Sequence, residues 1–259
     1  MTAAPEAGRY PVLFVGAGPG DPELITVRGQ RALSEADLVV YTGSLVPEAL
    51  LRWTRPAARC LTSADLHLDQ VIAELVAGYR AGERVVRLHT GDPSLYGAIA
   101  EQMAELRRHG VPYAVVPGVT AAFAAAAALG IEFTLPEVSQ TLILTRMAGR
   151  TPVPEPERLE ALAAHGASLA IYLSVGQADE MAATLGRAYG PDAPCAVVYR
   201  ASQPEEKIIR TRLCELADRV QAEGVTRQAV VIVGRVLDPD GRAARSKLYD
   251  KEFSHGYRK

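Results

Sequence analysis

Pro11-Val12-Leu13-Phe14-Val15, then Gly16-Ala17-Gly18-Pro19-Gly20-Asp21-Pro22, then residues 23–36 with Leu24, Val27 and Leu33 at near-helical spacing, is the stretch on which the fold turns. A short β-branched run broken by glycines and followed by an apolar helical period reads as strand, tight turn and helix. Working outward, the alternation continues. Strands are expected at 38–41, 84–88 and 113–116, with helices over 69–79 and 97–109, which is the order of an α/β fold. Residues 121–129, seven alanines with one Phe and a final Leu, read as a helix whose small side chains permit very close packing, closed by Gly130. A second strand-rich half follows. Its strands are expected at 141–145, 169–173, 196–199, 207–210 and 229–233, and its helices at 155–164, 177–187 and 213–222. Pro152, Pro154 and Pro156 share one loop and forbid a continuous helix or central strand there. The expected organisation is an N-terminal α/β domain at 1–135, a C-terminal α/β domain at 136–237 and a basic tail at 238–259.

Composition excludes several classes. The 259 residues are 48% hydrophobic and 22% charged, too apolar for a disordered chain and without the contiguous apolar run of a membrane span. The segment MTAAPEAGRYPVLFVG does not read as a signal peptide, because its apolar run is short and meets a glycine turn; the expected compartment is the cytoplasm. Cys60, Cys195 and Cys214 are odd in number and lack C-x-x-C spacing, which suggests neither a disulfide framework nor a metal site; inert thiols are expected. A net charge of −2 argues against a nucleic-acid binder. From Arg235 onward seven Lys/Arg face four acids, so the tail carries +3 and residues 1–234 carry −5. Such a tail suits an acidic ligand or a merely solvated terminus.

The loop at 16–22 is not a dinucleotide fingerprint. The sixth position of G-x-G-x-x-G is Asp21 rather than Gly, Pro19 has no N–H to donate, and no Lys-Ser/Thr follows to make a Walker loop. By its residues alone it is a rigid turn that allows close backbone approach. Two more punctuated turns, His89-Thr90-Gly91-Asp92-Pro93-Ser94-Leu95-Tyr96-Gly97 and Pro117-Gly118-Val119-Thr120-Ala121-Ala122, also lie between a strand and a helix. All three are expected to converge at the carboxyl edge of one parallel sheet, where open α/β folds bind ligands. For Asp92 the purely structural alternative is an Asx turn ahead of Pro93.

Taken in order, GAGPGDPELIT, VVYTGSLV, RLHTGDPSLYG and VVPGVTAAFAAAAALG resemble the tetrapyrrole (corrin and porphyrin) methylase family. TRMAGRTPVPE at 145–155, AIYLSV at 170–175 and AVVIVGRV at 229–236 are similar to that family's second domain, so the resemblance runs from about residue 11 to the end. Within the family, YTGSLV at 41–46, the 145–155 stretch and the tail RSKLYDKEFSHGYRK most resemble the branch that methylates ring carbon 11 of precorrin-4 in cobalamin biosynthesis. The resemblance implies two α/β domains in a homodimer, with S-adenosylmethionine in the cleft between the domains and S-adenosylhomocysteine as product. It implies no nucleic-acid or membrane partner and a tetrapyrrole as substrate. On the family pattern Thr90, Gly91, Asp92, Leu95, Thr120, Ala121, Leu173 and Ala201 line the cofactor, and Pro19, Asp21 and Ser44 border the substrate.

The substrate's peripheral carboxylates call for donors, for which Arg146 and Arg150, with Arg52 and Arg55, are candidates because a guanidinium matches a carboxylate; His67 is a further donor. Relatives acting on uroporphyrinogen III carry a carboxylate after the Tyr of the second strand, where this sequence has Thr42. A hydroxyl is no proton sink near neutral pH, so that reaction is disfavoured and no catalytic base is assigned.

Overall fold

The computed structural model describes residues 10–43, 45–238 and 254. Two compact units emerge: one takes the chain up to Ala124 together with Ser202–Pro204, the other takes Ala125–Ala201 and the chain from Glu205. The division falls inside an unbroken alanine run, which offers no compositional break of the kind that suggested a single cut near residue 135.

The first unit is built on β1 (Val12–Gly16), β2 (Leu38–Tyr41), β3 (Arg59–Thr62), β4 (Val85–His89) and β5 (Tyr113–Val116), in the order β3-β2-β4-β1-β5. Every pairing is parallel. Both faces are covered, which is why the central strands β1 and β2 read as continuous apolar runs instead of alternating ones. On one face Val12, Phe14, Leu38 and Val40 pack with Leu75 of α2 (Leu68–Arg80) and Leu106 of α3 (Ile99–Arg108). On the other, Val15, Val39, Val86 and Leu88 pack with Leu33 of α1 (Val27–Glu35). The helix expected from residue 23 begins at Val27 because Thr26 caps it, its hydroxyl accepting the Gly29 N–H at 3.1 Å. Pro22–Leu24 forms a separate 3-10 turn, capped by the Asp21 carboxylate accepting the Glu23 N–H at 2.8 Å. The helix α4 (Ala121–Leu129) ends at Gly130, whose φ of +66° suits a residue without Cβ.

The second unit holds β6 (Leu142–Arg146), β7 (Ser168–Tyr172), β8 (Pro194–Tyr199), β9 (Lys207–Arg212) and β10 (Ala229–Val233), ordered β6-β7-β10-β8-β9. Only β6 and β7 run parallel; the remaining pairs are antiparallel. Leu169, Ile171, Val197 and Val231 pack with Met181 and Leu185 of α6 (Ala178–Tyr189) and Leu216 of α7 (Leu216–Ala222). The helix expected over 155–164 is broken: Glu155–Glu157 is a 3-10 turn, Arg158 is extended, and α5 covers Leu159–Ala163.

Cys195 is buried, and burial pushes its thiol up to about 12, which makes it inert. Cys60 and Cys214 lie at the surface. Among the described residues no helix is long and apolar enough to cross a membrane. Ser44 and, apart from Asp238 and Ser254, the expected basic tail lie outside the described residues.

Candidate functional site

The loops after β4, β1 and β5 meet, because those three strands are adjacent and parallel. Ala17 N–H donates to the His89 carbonyl at 2.7 Å, and Gly18 and Gly91 exchange backbone bonds of 3.2 and 2.8 Å. The contact is too close for side chains. A Cβ on Gly16 would lie 2.6 Å from both the Gly118 Cα and the Gly91 carbonyl oxygen, and one on Gly118 would lie 2.1 Å from that oxygen. These glycines therefore press three backbones together; they are not a phosphate cradle.

Asp92 binds this junction. Its Oδ1 accepts the Ser94 N–H at 2.8 Å, which is the Asx turn, and its Oδ2 accepts the Gly118 N–H from the neighbouring loop at 2.9 Å. Gly91 beside it has φ +61°, and Thr90 Oγ1 is buried without a hydrogen-bond partner. Thr120 is buried at the start of α4, while Ala121 and Leu95 are half-buried. Tyr96 and Ala98, at φ +56° and +49°, continue a loop held in left-handed conformations by non-glycine residues, a costly arrangement that gathers at binding sites.

The 19–22 loop is tied down as well. Pro19 O accepts from Gln203 Nε2 at 3.2 Å, Asp21 N–H donates to Ser202 Oγ at 3.0 Å, and Trp53 Nε1 donates to Pro22 O at 3.2 Å. His67 is exposed at the head of α2, its backbone N–H donating to Gln70 Oε1 at 3.1 Å. Of the arginines, Arg55 pairs with Asp37 and so is no free carboxylate clamp, whereas Arg52 is exposed and lies 4.6 Å over the Trp53 ring, a stacking that uses the guanidinium face and not its N–H donors.

In the second unit Leu173 combines φ +54° with 70% exposure, a bulky apolar side chain held outward at a backbone cost. Buried Ser174 holds it there, its hydroxyl donating to Tyr172 O at 2.7 Å and accepting the Met147 N–H at 2.8 Å. Ala201 is buried between Arg200 and Ser202, both at positive φ. The Arg146 guanidinium donates to Met147 O, Thr151 O and Pro152 O at 3.1, 3.1 and 2.8 Å, so it shapes its own loop; Arg150 on that loop is exposed.

Sequence reasoning gave no role to Arg87 and His89 in β4, although an Arg and a His two apart in Val85-Val86-Arg87-Leu88-His89 mark one polar face of a buried strand. Arg87 donates to Gln102 Oε1, Val40 O and Ser63 Oγ at 3.1, 3.2 and 3.0 Å. Burial lowers it to about 10 and, with the repulsion of Arg87, lowers His89 to about 3, so at neutral pH the guanidinium is charged and the imidazole is not. His89 Nε2 and Thr42 Oγ1 are buried and unpartnered, each omission costing about 1–3 kcal/mol.

Comparison with known proteins agrees with this architecture. The sequence profile of the Tetrapyrrole (Corrin/Porphyrin) Methylases matches residues 11–217. A cobalt-precorrin-4 C(11)-methyltransferase of Methanocaldococcus jannaschii is 50% identical over 96% of this chain and 96% of its own. A precorrin-4 C(11)-methyltransferase of Pseudomonas aeruginosa is also 50% identical, over 95% of this chain and 98% of its own. Among solved structures, a cobalt precorrin-4 methyltransferase aligns with TM-score 0.86 and 46% identity over 88% of this chain and 96% of that one. A uroporphyrin-III C-methyltransferase from Thermus thermophilus, complexed with S-adenosylhomocysteine, aligns with TM-score 0.72 and 32% identity over 88% and 93%.

Proposed function

This chain belongs to the tetrapyrrole (corrin/porphyrin) methylases, and we infer that it transfers a methyl group from S-adenosylmethionine to ring carbon 11 of precorrin-4 or of its cobalt form. One observation carries the regiochemistry: half of all positions, across nearly the whole chain, are shared with enzymes named for that carbon. Equal identity to a cobalt-named and a metal-free-named relative gives neither substrate form an advantage.

The site fits the donor. A glycine junction with an open left-handed Gly91, a buried unpartnered Thr90 hydroxyl and the small Ala121 give a polar, close-approach surface of the kind that a nucleoside with an amino-acid arm requires. We assign Thr90, Gly91, Asp92, Leu95, Thr120 and Ala121 to it, with Leu173 and Ala201 as further contacts. When bound, the donor supplies a methyl group activated by a sulfonium. The protein's own part is alignment and exclusion of water, for which rigid backbone suffices. Pro19, Asp21, Ser44, His67 and Arg150 are assigned to the tetrapyrrole, and Arg146 acts there through the loop it fixes. Thr42 offers orientation and no proton acceptance.

Transfer of labelled methyl followed by NMR of the product tests the reading: label at carbon 11 is expected. Label at carbon 17 or 20 would make this a sister enzyme, and label found only in RNA would overturn the tetrapyrrole assignment. The working form is proposed to be a cytoplasmic homodimer, so light scattering at micromolar concentration should report about twice the chain mass of 27.7 kDa; the single-chain mass would reject the dimer.

A further inference from the structure

The register of the first sheet places two unsatisfied polar groups side by side. Val40 pairs with Arg87 and Tyr41 with Leu88, and the Thr42 N–H continues the ladder to Leu88 O at 3.3 Å, which sets Thr42 next to His89. Registered residues of parallel strands turn their side chains to the same face, so Thr42 and His89 are neighbours on the face that carries Val40 and Arg87. His89 is 3% exposed, its ring lies 5.9 Å from that of Phe14, and its Nε2 has no partner. Thr42 Oγ1 is unpartnered too. Two adjacent buried groups, each able both to donate and to accept, are left unjoined at the ligand-binding edge of the sheet. His89 also leads directly into the cofactor loop: its carbonyl anchors Ala17, and the next residue is Thr90.

We propose that His89 is a positioning residue for methyl transfer, an uncharged imidazole whose Nε2 hydrogen-bonds the Thr42 hydroxyl when the tetrapyrrole binds and so fixes the wall formed by the ends of β2 and β4. The proposal rests on the tetrapyrrole methylase reading above. Neutrality is essential to it, since a neutral pair can join without a proton or a counter-ion. Burial first, and then the cationic Arg87 on its own strand, keep His89 neutral, while Phe14 and Gly16 of β1 and Thr42 at the end of β2, the neighbours that the register and the ring contact give it, carry no charge.

The test uses the full chain with precorrin-4 or cobalt-precorrin-4. His89→Phe keeps a ring against Phe14 and removes the hydrogen bond, and should lower kcat about fivefold, the worth of one neutral hydrogen bond, with KM and S-adenosylhomocysteine affinity unchanged. Thr42→Val should lower kcat by the same factor. The double variant should lose no more than either, and His89→Gln should recover most of the loss. Full activity in His89→Phe, multiplying losses in the double variant, or equal failure of Phe and Gln with falling cofactor affinity would each overturn the proposal. A second arm needs no variant: in 15N-histidine NMR of the wild type, the His89 signals should be those of a neutral ring from pH 6 to 8, and Nε2 should shift on adding the tetrapyrrole. A charged ring, or an Nε2 signal indifferent to the tetrapyrrole, defeats the proposal. Methylation at another carbon with the Nε2 shift intact would instead defeat the regiochemical reading alone.

Discussion

Gly118→Ala is expected to reduce S-adenosylmethionine affinity on the order of a hundredfold while leaving the helix and strand content intact. The added Cβ would stand 2.1 Å from the Gly91 carbonyl oxygen, 2.8 Å from the Gly16 Cα and 3.0 Å from the Gly16 carbonyl carbon. All three neighbours are backbone, so no flexible side chain can swing aside. Overpacking of this kind costs about 1–3 kcal/mol even where side chains share the adjustment, and here three loops must separate together. Separation also pulls the Gly118 N–H from the Asp92 carboxylate and opens the Gly18–Gly91 bridge. The matched control is Gly149→Ala, whose Cβ would meet only Gln177 Oε1 at 3.9 Å, and its affinity should equal that of the wild type. Calorimetric titration of both variants decides the matter; binding by Gly118→Ala within threefold of wild type would show that the junction tolerates a methyl group and is not the cofactor platform.

The same junction shows why most of the first unit could be read from its residues. Strands buried on both faces announce themselves as apolar runs, as β1 and β2 do; β4 is read from Val85, Val86 and Leu88 despite Arg87 and His89, and the half-buried edge strand β5 from Tyr-Ala-Val-Val. The edge strand β3, Arg-Cys-Leu-Thr, has only Leu61 partly buried; held by backbone pairing to β2, it shows no apolar alternation and went unread. Helix starts were read too early where a 3-10 turn precedes the helix, as at Pro22–Leu24 and Leu213–Glu215, because such turns share the helix's composition and differ only in hydrogen-bond span. The return of Ser202–Pro204 to the first unit has no local signature, since Ser202 and Gln203 bind Asp21 and Pro19 from more than 180 positions away.

The loop junction of the candidate site was legible in its glycines, and the commitments of its charges were not. Close backbone approach demands residues without Cβ at Gly16 and Gly118, and a φ of +61° favours one at Gly91, so all three carry their reason in their identity. An arginine does not. Arg55 is committed to Asp37, Arg146 to three carbonyls of its own loop, and Arg87 to a buried polar group, and no spacing rule separates these from a clamp waiting for a carboxylate. The strained backbone at Leu173 is likewise invisible in sequence, because a leucine at φ +54° is imposed by Ser174 and its neighbours and not by its own preference.

Asp92 is the residue whose substitution separates two ways of binding the donor. An ionised carboxylate accepts on both oxygens, and here each oxygen meets a backbone N–H, that of Ser94 at 2.8 Å and that of Gly118 at 2.9 Å. Asparagine can serve only one of them and would turn an NH2 toward the other donor, so Asp92→Asn should be almost as damaging as Asp92→Ala. Both are expected to lose about 1–3 kcal/mol of S-adenosylmethionine binding, roughly ten- to hundredfold in affinity. If Asp92 works by holding the two loops, amide exchange at Ser94 and Gly118 should quicken about tenfold or more in the ligand-free variants, since their acceptors are gone before any cofactor arrives. If its carboxylate instead served only the ligand's hydroxyl or amino groups, exchange in the free protein would be unchanged and only affinity would fall. Unchanged affinity in both variants would remove Asp92 from the site altogether. The two short hydrogen bonds decide the expectation: the carboxylate's first task is to hold the two loops together, and a direct contact with the proposed donor would use the lone pairs left over.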